Sequence, residues 1–150
     1  MRKLHIIAHN IRSCENVGAL FRTADSLGIE RIWLTGYTPT PPDPKIHKVA
    51  LGAEMTVPFV TYPAIEGAIQ ELARLKIPLY ALELAPNAQE LREFQAPDQL
   101  ALLIGTETTG IPPSLLEQCV GTIQMTQHGL KESLNVTIAT SIASWWILNQ

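Results

Sequence analysis

Six short apolar runs, separated by segments of helical period, constrain this 150-residue chain more than any other feature. Leu4–His9, Arg31–Thr35, Val57–Tyr62, Leu79–Leu84, Leu100–Ile104 and Thr122–Met125 read as strands. Several are apolar at consecutive positions, the pattern of strands covered on both faces. Between them Val17–Leu27, Ala64–Leu75 and Ser114–Gln118 read as helices, with Leu134–Leu148 as a longer one at the end. The pattern predicts an α/β chain with a mostly parallel sheet and flanking helices, in one domain spanning 1–150. Gly36–Pro44 holds four prolines and reads as a stiff, extended loop.

Charge narrows the classes of function. The chain has 11 basic and 14 acidic residues, net −3, which excludes a polybasic nucleic-acid binder. The sum hides an asymmetry. Residues 1–50 carry 7 bases and 4 acids, and residues 51–150 carry 4 bases and 10 acids. An anion is therefore expected in the first third. Charged residues are only 17% of the chain, which predicts a surface partly covered by a partner. No run of 18 apolar residues and no signal-peptide pattern is present, so no membrane contact is expected. Two cysteines, Cys14 and Cys119, suit a reduced, cytoplasmic protein. His5 and His9 lie four apart on a strand, which holds them too far apart for a metal site, and none is expected.

Three clusters concentrate the polar residues. The first, Asn10–Asp25, leaves strand one and opens helix one, with Asn16 as the expected N-cap. Val17, Leu20, Phe21, Ala24 and Leu27 form one apolar face. Arg22 falls about 160° from its centre at ~100° per residue, so it is not a core residue. Its side chain leans toward position 18, where Gly18 leaves the path open toward Asn16 and the helix start. Free N–H groups there, with Arg12 and Arg22, predict an anion site. The bland alternative, an exposed Arg on a solvent face, has about equal weight. The second cluster, Ile104–Ile111, brackets Glu107 between Gly105 and Gly110 after a strand, where ligands of parallel sheets bind. Taken alone, the cluster is better accounted for by an ordinary strand-to-helix turn. The third, Ile123–Ala139, places Ser133 as an N-cap and Asn135 in the first turn of a helix apolar around much of its circumference. Trp145 and Trp146 lie on it, and burial on more than one side predicts a homodimer through this helix.

Together the clusters resemble the three motifs of the SpoU family, RNA ribose 2′-O-methyltransferases of the SPOUT superfamily. The first reads N-x-R-S-x-x-N-V-G-A-x-x-R-T-A-D over Asn10–Asp25, the second G-x-E-x-x-G-I over Gly105–Ile111. The third reads I-x-M, then S-L-N-V-T, between Ile123 and Thr137; Gln124 stands where the family usually has proline. Lys48–Glu54 (KVALGAE) is similar to a subgroup of short members. The resemblance implies a C-terminal trefoil knot, otherwise avoided by protein chains, an S-adenosylmethionine site within it, and a homodimer acting on tRNA or rRNA. It implies a cofactor held near Leu82, Gly105, Ile123, Ser133 and Leu134. Arg12, Ser13, Arg22 and the Pro-rich loop would contact RNA. Arg22, Asn16, Glu107, Ser133 and Asn135 would form the catalytic set, with Asn16 orienting Arg22. Because arginine stays protonated, Arg22 suits a clamp on phosphate and developing alkoxide better than a base. Two other readings remain open: a non-catalytic RNA-binding dimer that keeps the fold, and a flavodoxin-like module, which would need a phosphate loop after strand one.

Overall fold

The computed structural model describes residues 1–150. The strands are β1 (Lys3–His9), β2 (Arg31–Thr35), β3 (Phe59–Tyr62), β4 (Leu79–Leu82), β5 (Gln89–Glu90), β6 (Gln99–Ile104) and β7 (Gly121–Gln124). The helices are α1 (Cys14–Leu27), α2 (Pro44–Ala50), α3 (Ala53–Thr56), α4 (Ile65–Arg74), α5 (Pro113–Leu116) and α6 (Val136–Leu148). The strands form one sheet in the order β3-β2-β1-β6-β4-β7-β5, and every pairing in it is parallel. The expected α/β class therefore holds.

Side chains alternate along each strand, so the apolar runs feed two cores. Leu4, Ile6 and Ala8 of β1 join Leu100, Leu102 and Ile104 of β6 under α1, α2 and α6. Ile7, Trp33, Ala101 and Leu103 face the other way, against Ile65, Ala68 and Leu72 of α4. Both faces of the sheet are thus covered, which explains the unbroken apolar runs.

Several boundaries move, for local reasons. Helix α1 begins at Cys14 because Ser13 caps it, its Oγ accepting from Asn16 N–H at 3.1 Å. Asn16 is therefore a first-turn residue, not the cap. Likewise Asn135 caps α6, its Oδ1 accepting from Thr137 N–H (2.9 Å) and Ile138 N–H (3.2 Å), so Ser133 and Leu134 remain in the preceding loop. Strand β4 ends at Leu82; Glu83 still donates its N–H to Ile123 O, and its carboxylate turns toward the loop after β6. The Pro-rich loop ends as Asp43 caps α2 with Pro44 at its first position. Helices α2 and α3 and the two-residue β5 have no counterpart among the elements expected from sequence.

Gly18 has a different purpose from the one expected. A Cβ there would lie 2.8 Å from Ile46 O and 2.8 Å from Val49 Cβ. The missing side chain lets α2 press on α1. It does not clear a path for Arg22.

Candidate functional site

Parallel strands put all their carboxyl ends at one edge, and the polar clusters gather there. The centre of the arrangement is the Glu107 carboxylate, in the loop after β6. Its Oε1 accepts from Arg12 N–H (2.9 Å), and its Oε2 from Ser13 N–H (3.0 Å) and the Asn16 amide (2.9 Å). Burial alone would raise this carboxyl's pKa. The bonds from Arg12, Asn16 and Ser13 outweigh burial and hold it below the usual carboxylate range. Glu107 is therefore an ionised strut that ties the first cluster to the second. The anion expected at the start of α1 is supplied by the chain itself.

Backbone bonds brace the same loop. Thr106 and Gly110 exchange N–H···O bonds of 3.3 and 3.1 Å. A Cβ on Gly105 would sit 2.6 Å from the Gly110 carbonyl carbon and oxygen. On the opposite side Glu83 accepts from Ile111 N–H at 2.9 Å and from Leu84 N–H at 3.0 Å. Gly110 is left-handed, with φ 69°, and a side chain there would strike Glu83.

These loops surround a cleft of about 750 Å³. Of the residues expected to bind cofactor, Leu82, Gly105, Ser133 and Leu134 line it. Ile123 is fully buried beside it, its carbonyl accepting from Glu83 N–H at 3.0 Å. Glu107 and Asn135 also line it. Sequence reasoning missed Glu83, Gln124 and Met125 of the lining. The available signal for Glu83 was a carboxylate at the carboxyl end of a strand.

The volume suits a nucleoside-sized ligand. Three carboxylates line the cleft (Glu83, Glu107, Glu132) and no basic residue does. Leu82, Ile104, Leu116, Met125, Val136 and Ala139 give it apolar wall. An adenosyl group carrying a sulfonium, apolar at one end and cationic at the other, fits that donor set. The Gly105–Gly110 contact leaves backbone, not side chain, facing it.

Arg22 lies elsewhere. It is exposed, forms no hydrogen bond within the chain and does not reach Asn16 or the helix start. It lines a second cleft, of about 520 Å³, with Thr23, Ser26 and Leu27 of α1 and Ser141, Ile142 and Trp145 of α6. The two helices meet beneath it through Thr23 and Ser141, whose hydroxyls lie 2.8 Å apart. Asn16, expected to orient Arg22, holds Glu107 instead. Helix α6 exposes Ile138, Ile142, Trp145 and Trp146, with Trp145 55% accessible.

Neither cysteine is poised to react. Burial, with Asp43 and Glu15 nearby, holds the Cys14 thiol's pKa above its ordinary value. Burial pushes Cys119 up to about 11. His5 is a core histidine, its Nδ1 accepting from Trp33 Nε1–H at 3.2 Å, and burial lowers its pKa. No three His, Cys, Asp or Glu side chains group closely enough to hold a metal ion. No helix is long and apolar enough to cross a membrane.

Known proteins share this chain's sequence pattern and fold. A tRNA (guanosine(18)-2′-O)-methyltransferase of Thermus thermophilus is 26% identical over 139 residues, 93% of this chain and 71% of that protein. The 23S rRNA (guanosine-2′-O-)-methyltransferase RlmB of Neisseria meningitidis is 27% identical over 139 residues, 93% of this chain and 55% of that one. Among solved structures, an AdoMet-bound rRNA methyltransferase from Sinorhizobium meliloti superposes with a TM-score of 0.86. It is 25% identical, over 97% of this chain and 55% of that one. The SpoU methyltransferase AviRb of Streptomyces viridochromogenes shares the fold, with a TM-score of 0.90 at 23% identity, over 99% of this chain and 59% of its own. The chain thus spans less than two thirds of three of these four proteins. The model of the SpoU rRNA methylase family matches residues 3–145, and the chain belongs to that family.

Proposed function

We propose that this protein transfers a methyl group from S-adenosylmethionine to a ribose 2′-hydroxyl of tRNA or rRNA, and does so as a cytoplasmic homodimer. The observation that carries the reading is the Glu107 strut. It fixes the segment Arg12–Asn16 beside a cleft whose lining suits a sulfonium nucleoside. The knot implied by the resemblance belongs to the same proposal. The adjacency of β6, β4 and β7, and the return of α6 to pack on α1 and β1, support it.

When bound, S-adenosylmethionine supplies an electrophilic methyl group, so the remaining work is alignment and proton management. Leu82 and the backbone around Gly105, Ile123 and Leu134 hold the adenosyl part, and Ser133 offers a free hydroxyl at the mouth. Glu107 is a poor base, because three donors occupy its oxygens and lower its affinity for a proton. It acts as a positioning residue, with Asn16 fastened to it, and Asn135 fixes the start of α6. Arg22⁺ clamps an RNA phosphate and stabilises the developing alkoxide, and the hydroxyl proton leaves to that phosphate or to water. Arg12 and Ser13, at the start of α1, contact the RNA beside Glu107.

Arg22 and the cofactor cleft share no cavity within one chain. A second copy packed on Ile138, Ile142 and Trp145 would cover the Arg22 cleft and bring the two together. Bulk association through an apolar helix face is the expected form of such an interface.

The test is mass spectrometry of ribose methylation in tRNA and rRNA from cells with and without the gene. Loss of one 2′-O-methyl group is expected. No change, together with no calorimetric binding at millimolar S-adenosylmethionine, would favour a non-catalytic RNA-binding dimer.

A further inference from the structure

Six of the nine aromatic side chains pair inside the fold: Phe21 with Phe59, Trp33 with Tyr62, and Tyr80 with Phe94. Three are left over. Trp145 and Trp146 sit on the outward side of α6, which the dimer proposed above would cover. The third, Tyr37, lies at the carboxyl edge of the sheet, 60% accessible, on the Pro-rich loop.

The backbone that carries Tyr37 is held from both sides. Before it, Gly36 is left-handed (φ 66°) and donates to Tyr62 O at 3.1 Å. A Cβ on Gly36 would lie 1.9 Å from Asn10 Oδ1, so only glycine fits. Tyr37 N–H itself donates to that Asn10 oxygen at 3.1 Å. After it, buried Thr38 lies 3.0 Å from Ala8 O and 2.8 Å from Thr35 O through its hydroxyl, which also accepts from Ile11 N–H at 3.1 Å. The chain thus builds a rigid mount and leaves the ring on it in solvent.

The mount is continuous with the site. Asn10 holds Tyr37, and Arg12 and Ser13, two and three residues on, hold Glu107 at the cofactor cleft. Three residues span at most about 10 Å. Exposed Arg12 lies between them, its guanidinium making no bond within the chain. An exposed aromatic ring on a fixed backbone, at the same edge of the sheet as a free guanidinium, is the chemistry that recognises an unpaired base and its phosphate.

We propose that Tyr37 is a stacking platform for an unpaired base of the RNA close to the methylated nucleotide, so that the substrate is a single-stranded loop and not a duplex. The inference rests on the RNA methyltransferase reading. The experiment compares wild type, Tyr37→Phe and Tyr37→Ala in steady-state methylation of total tRNA and rRNA from cells lacking the gene, with S-adenosylmethionine affinity measured by calorimetry. Tyr37→Ala is expected to raise KM for RNA about 5- to 100-fold, with kcat and cofactor affinity unchanged. Tyr37→Phe, which keeps the ring, is expected within about twofold of wild type. An unchanged KM in Tyr37→Ala, equal damage from both variants, or a fall in cofactor affinity would each overturn the stacking role. Wild-type protein that methylates neither RNA sinks the enzyme reading itself, a result distinct from all of these.

Discussion

The two clefts of this molecule are finished to different degrees. The cofactor cleft is complete within one chain: Glu107 and Glu83 grip its central loop from opposite sides, and Asn135 caps the helix that borders it. The cleft beside Arg22 is open, floored by two hydroxyls and walled by an exposed tryptophan. Internal bonds brace the loops of the first, whereas the Arg22 guanidinium at the second has no partner within the chain. The difference teaches which half of the chemistry one protomer performs alone. Under the proposed function, binding the methyl donor needs one chain, and transfer needs what lies over Arg22.

Substitutions can break that division. The largest effect is expected from Arg22→Ala, a fall of about 10³-fold in methylation with S-adenosylmethionine affinity retained, as for loss of a charge-stabilising donor. Arg22→Lys should recover little of it, because ammonium cannot form the bidentate clamp; a lysine that restores most activity would argue for simple charge or base chemistry. Next comes Gly105→Ala, which forces a methyl group against the Gly110 backbone. Calorimetry should show cofactor affinity reduced about 100-fold, the strain being about 1–3 kcal/mol. Trp145→Ala sharpens the other side of the comparison. Sedimentation should show self-association weakened about tenfold, with cofactor binding per chain unaltered.

Glu107→Gln should lower stability at neutral pH, because its amide nitrogen would face an N–H donor, and have a distinctive effect in acid. The folded protein holds this carboxyl below its ordinary pKa. Its contribution to stability is therefore present above the unfolded value and lost as pH falls through the folded one. Thermal melts from roughly pH 6 to pH 3 should fall less steeply in Glu107→Gln than in wild type. Parallel curves would show that the strut adds no acid-sensitive stability.

Much of this was legible in sequence because strands covered on both faces must be apolar at consecutive positions, as Ile6–Ala8 of β1, Ile32–Leu34 of β2 and Leu100–Ile104 of β6 are. Cap positions were less so. Ser13 and Asn16 have equal capping ability, and the choice is made by Glu107, which claims the Asn16 amide from 91 residues away. Ser133 and Asn135 pose the same ambiguity, resolved by Thr137 and Ile138. Gly18 could not be interpreted before α2 was located, since an open path and a tight contact call for the same residue. Arg22 was legible as a non-core residue but not in its surroundings, which depend on α6 lying alongside α1 through pairs more than a hundred positions apart.

The sheet order has a consequence in time as well as space. At its centre β1 pairs with β6, Lys3 opposite Gln99 and Ala8 opposite Ile104. That junction closes a long loop, whose entropy opposes folding until many non-local contacts form together. The same closure carries Glu107 to Ser13. A nascent chain that has emerged only as far as β4 holds the basic third and the helix bearing Arg22, yet has no strut and no cleft. Maturation of the site and completion of the sheet are thus one cooperative event, and a partly folded chain has no means of holding methyl donor and RNA together.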